Sequence, residues 1–156
     1  MKFHITAIGK IRSNSLKNLQ NEYIKRTSPY IKINVNTVTP VSKSKNMTRI
    51  KVKALEAEKL LQNIPENSYR ISLDEKGKLS TTKMFAKYLK KLLVHKRKPV
   101  YFIIGGAYGL GKQVKKRSNK VISLSPLTFT HEMSRIILLE QIYRAMTIIK
   151  GKKYHY

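Results

Sequence analysis

The sequence contains no cysteine, has only 8 acidic residues, and nowhere carries an apolar run near bilayer length. Without cysteine there is no disulfide framework, no thiolate nucleophile and no cysteine-ligated zinc, and a reducing compartment is the natural setting. A helix that crosses a bilayer needs roughly 20 apolar residues, so no membrane span is expected. Met1-Lys2-Phe3-His4-Ile5-Thr6 runs straight into a strand pattern and lacks a signal-peptide core, which makes the cytoplasm the expected location. The four histidines, His4, His95, His131 and His155, are scattered with no pair four residues apart, so no metal site is expected. A Gly-x-Ser-x-Gly elbow is also absent. Glu56 and Glu58 stand two apart on a predicted helix and do not converge, while Asp74 and Glu75 read as solvated charges in a turn.

What the chain has instead is positive charge. Lys and Arg number 33, giving a net +25. From Lys76 to His131 there is no acidic residue, while Lys and Arg occur 14 times. One-sided charge of this size repels itself and is best tolerated beside a polyanion. Nucleic acid is the leading partner, and an anionic membrane surface the second.

The 156 residues suit a single domain spanning 1–156. Phe3, Ile5 and Ala7 alternate in a first strand that ends at Gly9, and Ile31, Ile33 and Val35 alternate in a second. A third covers Arg70–Leu73, with Asp74-Glu75-Lys76-Gly77 as its turn. Val100-Tyr101-Phe102-Ile103-Ile104 is apolar on both faces, as a central parallel strand requires, and Val121–Leu124 forms another buried strand. Helical spacing appears after Ser13, Asn14 or Ser15, over Ile50–Asn63, from Ser80 or Thr81 through Leu93, over Lys112–Ser118, and over Glu132–Ile149. Strands alternating with helices predict an α/β fold, a mainly parallel sheet with helices on both faces. The last helix is apolar around most of its girth, which predicts burial on two sides, either at a subunit interface or at the centre of one core.

Two loops carry the chemistry. Gly105-Gly106-Ala107-Tyr108-Gly109-Leu110-Gly111-Lys112 directly follows the central strand, where ligands of open α/β sheets bind and glycines permit close approach. From Gly106 it nearly matches a phosphate-binding loop, but Gln113 stands where a hydroxyl should hold magnesium. The glycines also suit a plain tight connection. After the next strand, Ser123–Thr130 offers hydroxyls, backbone groups and the apolar Leu127 and Phe129, a lining suited to a planar heterocycle or to an ordinary capping loop. Methyl transfer fits a chain this poor in catalytic groups, since an activated methyl needs alignment and, at most, removal of one proton. A non-catalytic RNA-binding protein is the rival reading.

Taken together, Ala7-Ile8-Gly9-Lys10, the strand end at Leu73, Gly105–Leu110, Leu124–Phe129, Glu140-Gln141-Ile142-Tyr143-Arg144-Ala145 and the terminal Tyr154-His155 resemble the ribosomal RNA large subunit methyltransferase H family over the whole chain. The resemblance implies a SPOUT fold with a C-terminal trefoil knot, a homodimer, and methylation at N3 of a pseudouridine in 23S rRNA of the assembled ribosome. It implies S-adenosylmethionine as donor, contacted by Leu73, Gly105, Leu124, Ser125, Pro126, Leu127, Thr128 and Phe129. His155 or His131 is expected to take the N3 proton, with Arg135 and Tyr154 orienting the base or its phosphate.

Overall fold

A computed structural model describes residues 2–95 and 98–154. Five strands, β1 (Lys2–Ile8), β2 (Lys32–Val38), β3 (Tyr69–Lys78), β4 (Val100–Ile104) and β5 (Lys120–Ile122), form one sheet in the order β2-β1-β4-β3-β5. Every pairing in it is parallel. The helices between them are α1 (Asn14–Thr27), α2 (Arg49–Gln62), α3 (Thr82–His95), α4 (Lys112–Lys116) and α5 (His131–Ile149). Hydroxyl side chains start four of them. The backbone N–H groups of Leu16, Lys51, Met84 and Met133 donate to Ser13, Thr48, Thr81 and Thr130, and such a cap is worth about 1 kcal/mol.

The period-2 alternation of the strands splits the interior in two. Phe3, Ile5, Ala7, Ile33, Ile71, Val100, Phe102 and Ile104 face α1, α3 and α5. Ile8, Val38, Tyr101 and Ile103 face the side of α2 and α4, with Ala57, Leu60 and Val114. The sheet is therefore covered on both faces, as the doubly apolar β4 requires.

The apolar girth of α5 finds its explanation largely within one chain. This helix lies between α1 and α3 and also touches β1 and β4. Leu138, Leu139, Ile142, Ala145 and Met146 are fully buried, whereas Ile137, Tyr143, Ile148 and Ile149 are half-buried. Two local readings are corrected. β3 does not stop at Leu73: after a register shift, Lys78 pairs with Ile122 again, so Asp74–Gly77 bulges out of a continuing strand. β5 is short and ends at Ile122, because Ser123 and Leu124 already belong to the following loop.

Candidate active site

A parallel sheet brings the carboxyl ends of its strands to one edge, and here that edge holds a cleft of about 580 Å³. Its walls come from the β3 bulge (Leu73, Asp74, Glu75), the turn after β4 (Gly105–Leu110), the loop after β5 (Leu124, Ser125, Leu127, Thr128, Phe129), and the first turns of α2 and α5. Small-molecule sites generally span about 300–1,000 Å³, so the size suits a nucleoside-sized ligand.

The glycine turn is tight for steric reasons. Gly106 accepts a hydrogen bond from the Gly109 N–H at 3.0 Å, and Gly109 sits at φ +79°. A β-carbon on Gly105 would fall 2.6 Å from the Gly109 carbonyl carbon, so any larger residue forces the turn open. The turn thus lays bare backbone along the cleft, where a flat ligand can approach closely.

The second wall is pinned through side chains. Thr128 Oγ1 donates to Glu75 Oε2 at 2.6 Å, and the Leu127 N–H donates to Ser125 Oγ. Ser123 Oγ donates to the Ser125 carbonyl. Asp74 binds Lys115 at 2.9 Å and accepts from the Lys76 N–H. Burial works against its charge, but the bonds from Lys115 and Lys76 outweigh it and hold the carboxyl below its usual range. Asp74 and Glu75 are therefore parts of the cleft wall, where the sequence had suggested free charges in solvent.

His131 opens α5 and lines the cleft beside Ser134. Its Nδ1 is buried and has no hydrogen-bond partner among the described residues. Burial first, and then the charge of Arg135, depress its pKa, so the ring is neutral near pH 7 and able to accept a proton. One turn on, Arg135 is only 1% exposed, and its Nη2 donates to the Gly9 carbonyl at 2.8 Å. It lies behind His131, outside the cleft lining, and secures the turn after β1.

Of the eight residues expected at the donor, seven line the cleft: Leu73, Gly105, Leu124, Ser125, Leu127, Thr128 and Phe129. Pro126 is exposed and not among the lining residues. Tyr154 meets the Tyr143 ring at 4.7 Å, with the Arg144 guanidinium 4.7 Å over its own ring. That contact lies twelve residues along α5 from His131, about 18 Å at the helical rise. His155 lies outside the described residues. No group of three or more potential metal ligands occurs among the described residues, and no described helix is long and apolar enough to cross a membrane.

The first turn of α2, to which the sequence assigned no role in the site, also reaches this edge. Arg49, Ile50 and Lys53 of this turn line the cleft together with Tyr108 of the glycine loop, and the buried Glu56 packs against Gly106 of that loop. Glu56 is 5% exposed, and its Oε1 accepts from the Val41 N–H at 3.2 Å. A β-carbon on Gly106 would come within 2.8 Å of its Oε2, which has no partner among the described residues.

The family profile described as "Predicted SPOUT methyltransferase" matches residues 1–155. This chain belongs to the SPOUT methyltransferases. Its curated relatives include proteins named ribosomal RNA large subunit methyltransferase H. That of Halothermothrix orenii is 44% identical, with 99% of both chains covered. The Dictyoglomus thermophilum relative is 40% identical over the full length of both chains. The relative from Parabacteroides distasonis is 37% identical, covering 100% of this chain and 99% of its own. Similarity this high over the full length makes the chain a member of that family. Among solved structures, a probable methylase family protein of Haemophilus influenzae Rd KW20 shares the fold at a TM-score of 0.56 and 13% identity, covering 99% of this chain and 70% of its own. A probable methyltransferase of Bordetella pertussis Tohama I does so at 0.54 and 10%, with 93% of both chains covered. The chain is a methyltransferase, and its reaction consumes a methyl donor.

Proposed function

We propose that this single-domain protein transfers a methyl group from S-adenosylmethionine to N3 of a pseudouridine in 23S rRNA of the assembled ribosome, working as a knotted homodimer in the cytoplasm. The observation that carries the reading is the cleft at the carboxyl edge of the sheet, walled by the two loops that follow β4 and β5. Its backbone-rich glycine turn, the apolar Leu73, Leu124, Leu127 and Phe129, and the hydroxyls of Ser125 and Thr128 suit an adenosyl group. These residues, with Gly105, would hold the donor, and Pro126 would shape the loop. When bound, the donor supplies a methyl on a sulfonium, already activated toward a nucleophile.

The chain then has two tasks. It must hold the base in line with the methyl, and it must accept the N3 proton, which is still in place at neutral pH. His131, neutral and in the cleft wall, suits the second task. His155 is the alternative base. Arg135, buried behind His131, acts through position: by securing the Gly9 turn it sets the wall against which the His131 ring rests. Tyr154 packs about 18 Å along α5 from His131 within one chain, so its role in orienting the base calls for the tail of a second copy. The names of the curated relatives support the ribosomal RNA substrate.

The test is to incubate ribosomes lacking the modification with the protein and labelled donor, then map 23S rRNA by mass spectrometry. One methyl, on N3 of one pseudouridine, is expected. A methyl on another base or on protein, or none, would overturn the assignment.

A further inference from the structure

Two exposed basic surfaces lie on opposite faces of the sheet. One is the outer side of α3, with Lys83, Lys87, Lys90 and Lys91. The other is the approach to α2, where Lys43 and Arg49 flank the Tyr108 ring at 5.7 and 5.3 Å. We propose that Lys43, Arg49 and Tyr108 form the surface that grips the RNA around the target base, holding the flanking phosphates and the face of a neighbouring unstacked base. The inference rests on the RNA-methyltransferase reading above.

Position separates the two surfaces. Arg49, Ile50, Lys53 and Tyr108 all belong to the cleft wall, whereas no residue of α3 does. A base inserted in the cleft leaves its own and adjacent phosphates at the mouth, so cations there meet them directly. Charge supports the same choice. The ion pairs among the described residues are Glu22–Arg26, Asp74–Lys115 and Glu140–Arg144, so neither Lys43 nor Arg49 is taken up by a carboxylate there. Apolar exposure completes the picture. Ile50 is 81% exposed and Leu127 71% exposed, and both line the same cleft. Beside an aromatic ring and unpaired cations, such a rim fits an unstacked nucleobase, the form in which sequence-specific RNA sites are usually read. The contacts to the Tyr108 ring also restrict Lys43 and Arg49 before RNA arrives, reducing the entropy lost on binding.

The experiment compares two double variants, K43A/R49A at the mouth and K87A/K90A on α3, with wild type, in methylation of whole ribosomes across a range of salt. Donor affinity is measured separately by calorimetry. The mouth variant is expected to raise KM for ribosomes at least tenfold, and to lower the slope of log KM against log salt by about 2, near one for each phosphate that the variant no longer neutralises. Its donor affinity stays within about threefold of wild type. The α3 variant is expected to change KM less than threefold. Tyr108→Leu removes a ring and no charge, so it should raise KM while leaving the salt slope unchanged. An equal or larger effect of the α3 variant, an unchanged KM in K43A/R49A, or a defect there confined to donor binding would each overturn the assignment. A wild-type protein that binds the donor yet methylates no RNA removes the underlying reading instead, and this inference with it.

Discussion

His131 is the residue on which the proposed chemistry turns most directly. Its ring lines the cleft, its Nδ1 lacks a partner among the described residues, and burial followed by the Arg135 charge lowers its pKa. Replacing it with alanine is expected to cut turnover at least a hundredfold while leaving donor affinity within a fewfold, as loss of a general base does. Rate and calorimetric measurements on His131→Ala and His155→Ala check this, and wild-type turnover in both variants would remove histidine from the reaction. Sequence alone named His131 as a candidate but could not say that it would be neutral, since that depends on Arg135 and on the packing at the start of α5. Arg135 illustrates the same limit. The sequence reading expected it to orient the base or its phosphate, yet it is buried outside the cleft lining with the Gly9 carbonyl as its hydrogen-bond acceptor.

Among the elements, α2 carries an unexpected constraint. Glu56 joins the segment before α2 to the underside of the glycine turn, through the Val41 N–H and the close approach of Gly106. Burial raises its pKa, against the smaller opposing effects of the Val41 bond and Lys59. A carboxyl whose folded pKa is raised binds more protons when folded, so its contribution to stability falls as pH climbs from 4.5 through the folded value. Glu56→Gln keeps an acceptor for Val41 without the buried charge. The variant should be at least as stable as wild type at pH 7, with a shallower loss of stability above pH 4.5. Denaturant melts at several pH values decide it, and a steeper loss in the variant would contradict the assignment. The elements themselves were largely legible: alternation in β1 and β2, the doubly apolar β4 and the helix caps all lie in local sequence. The continuation of β3 past Leu73 was not, because Asp-Glu-Lys-Gly has turn composition and only pairing with Ile122 makes it strand. Glu56 was hidden for a similar reason, as its burial arises from packing against the distant turn at Gly106.

At the scale of the molecule, the order β2-β1-β4-β3-β5 sets β4 at the centre and gathers the bulge of β3 and the loops after β4 and β5 at one edge. Strand order is a product of long-range pairing, so periodicity predicted the layers and the parallel sheet without predicting which loops would meet. The two loops singled out in the sequence do meet, and the acidic bulge of β3 joins them. The net charge of +25 has its place in the same picture, since the cleft opens beside cations with no carboxylate partner among the described residues. The most direct measurement is a crystal structure grown with S-adenosylmethionine. The account predicts the donor seated between Gly105–Leu110 and Leu124–Phe129; a donor bound at any other place on the chain would contradict it.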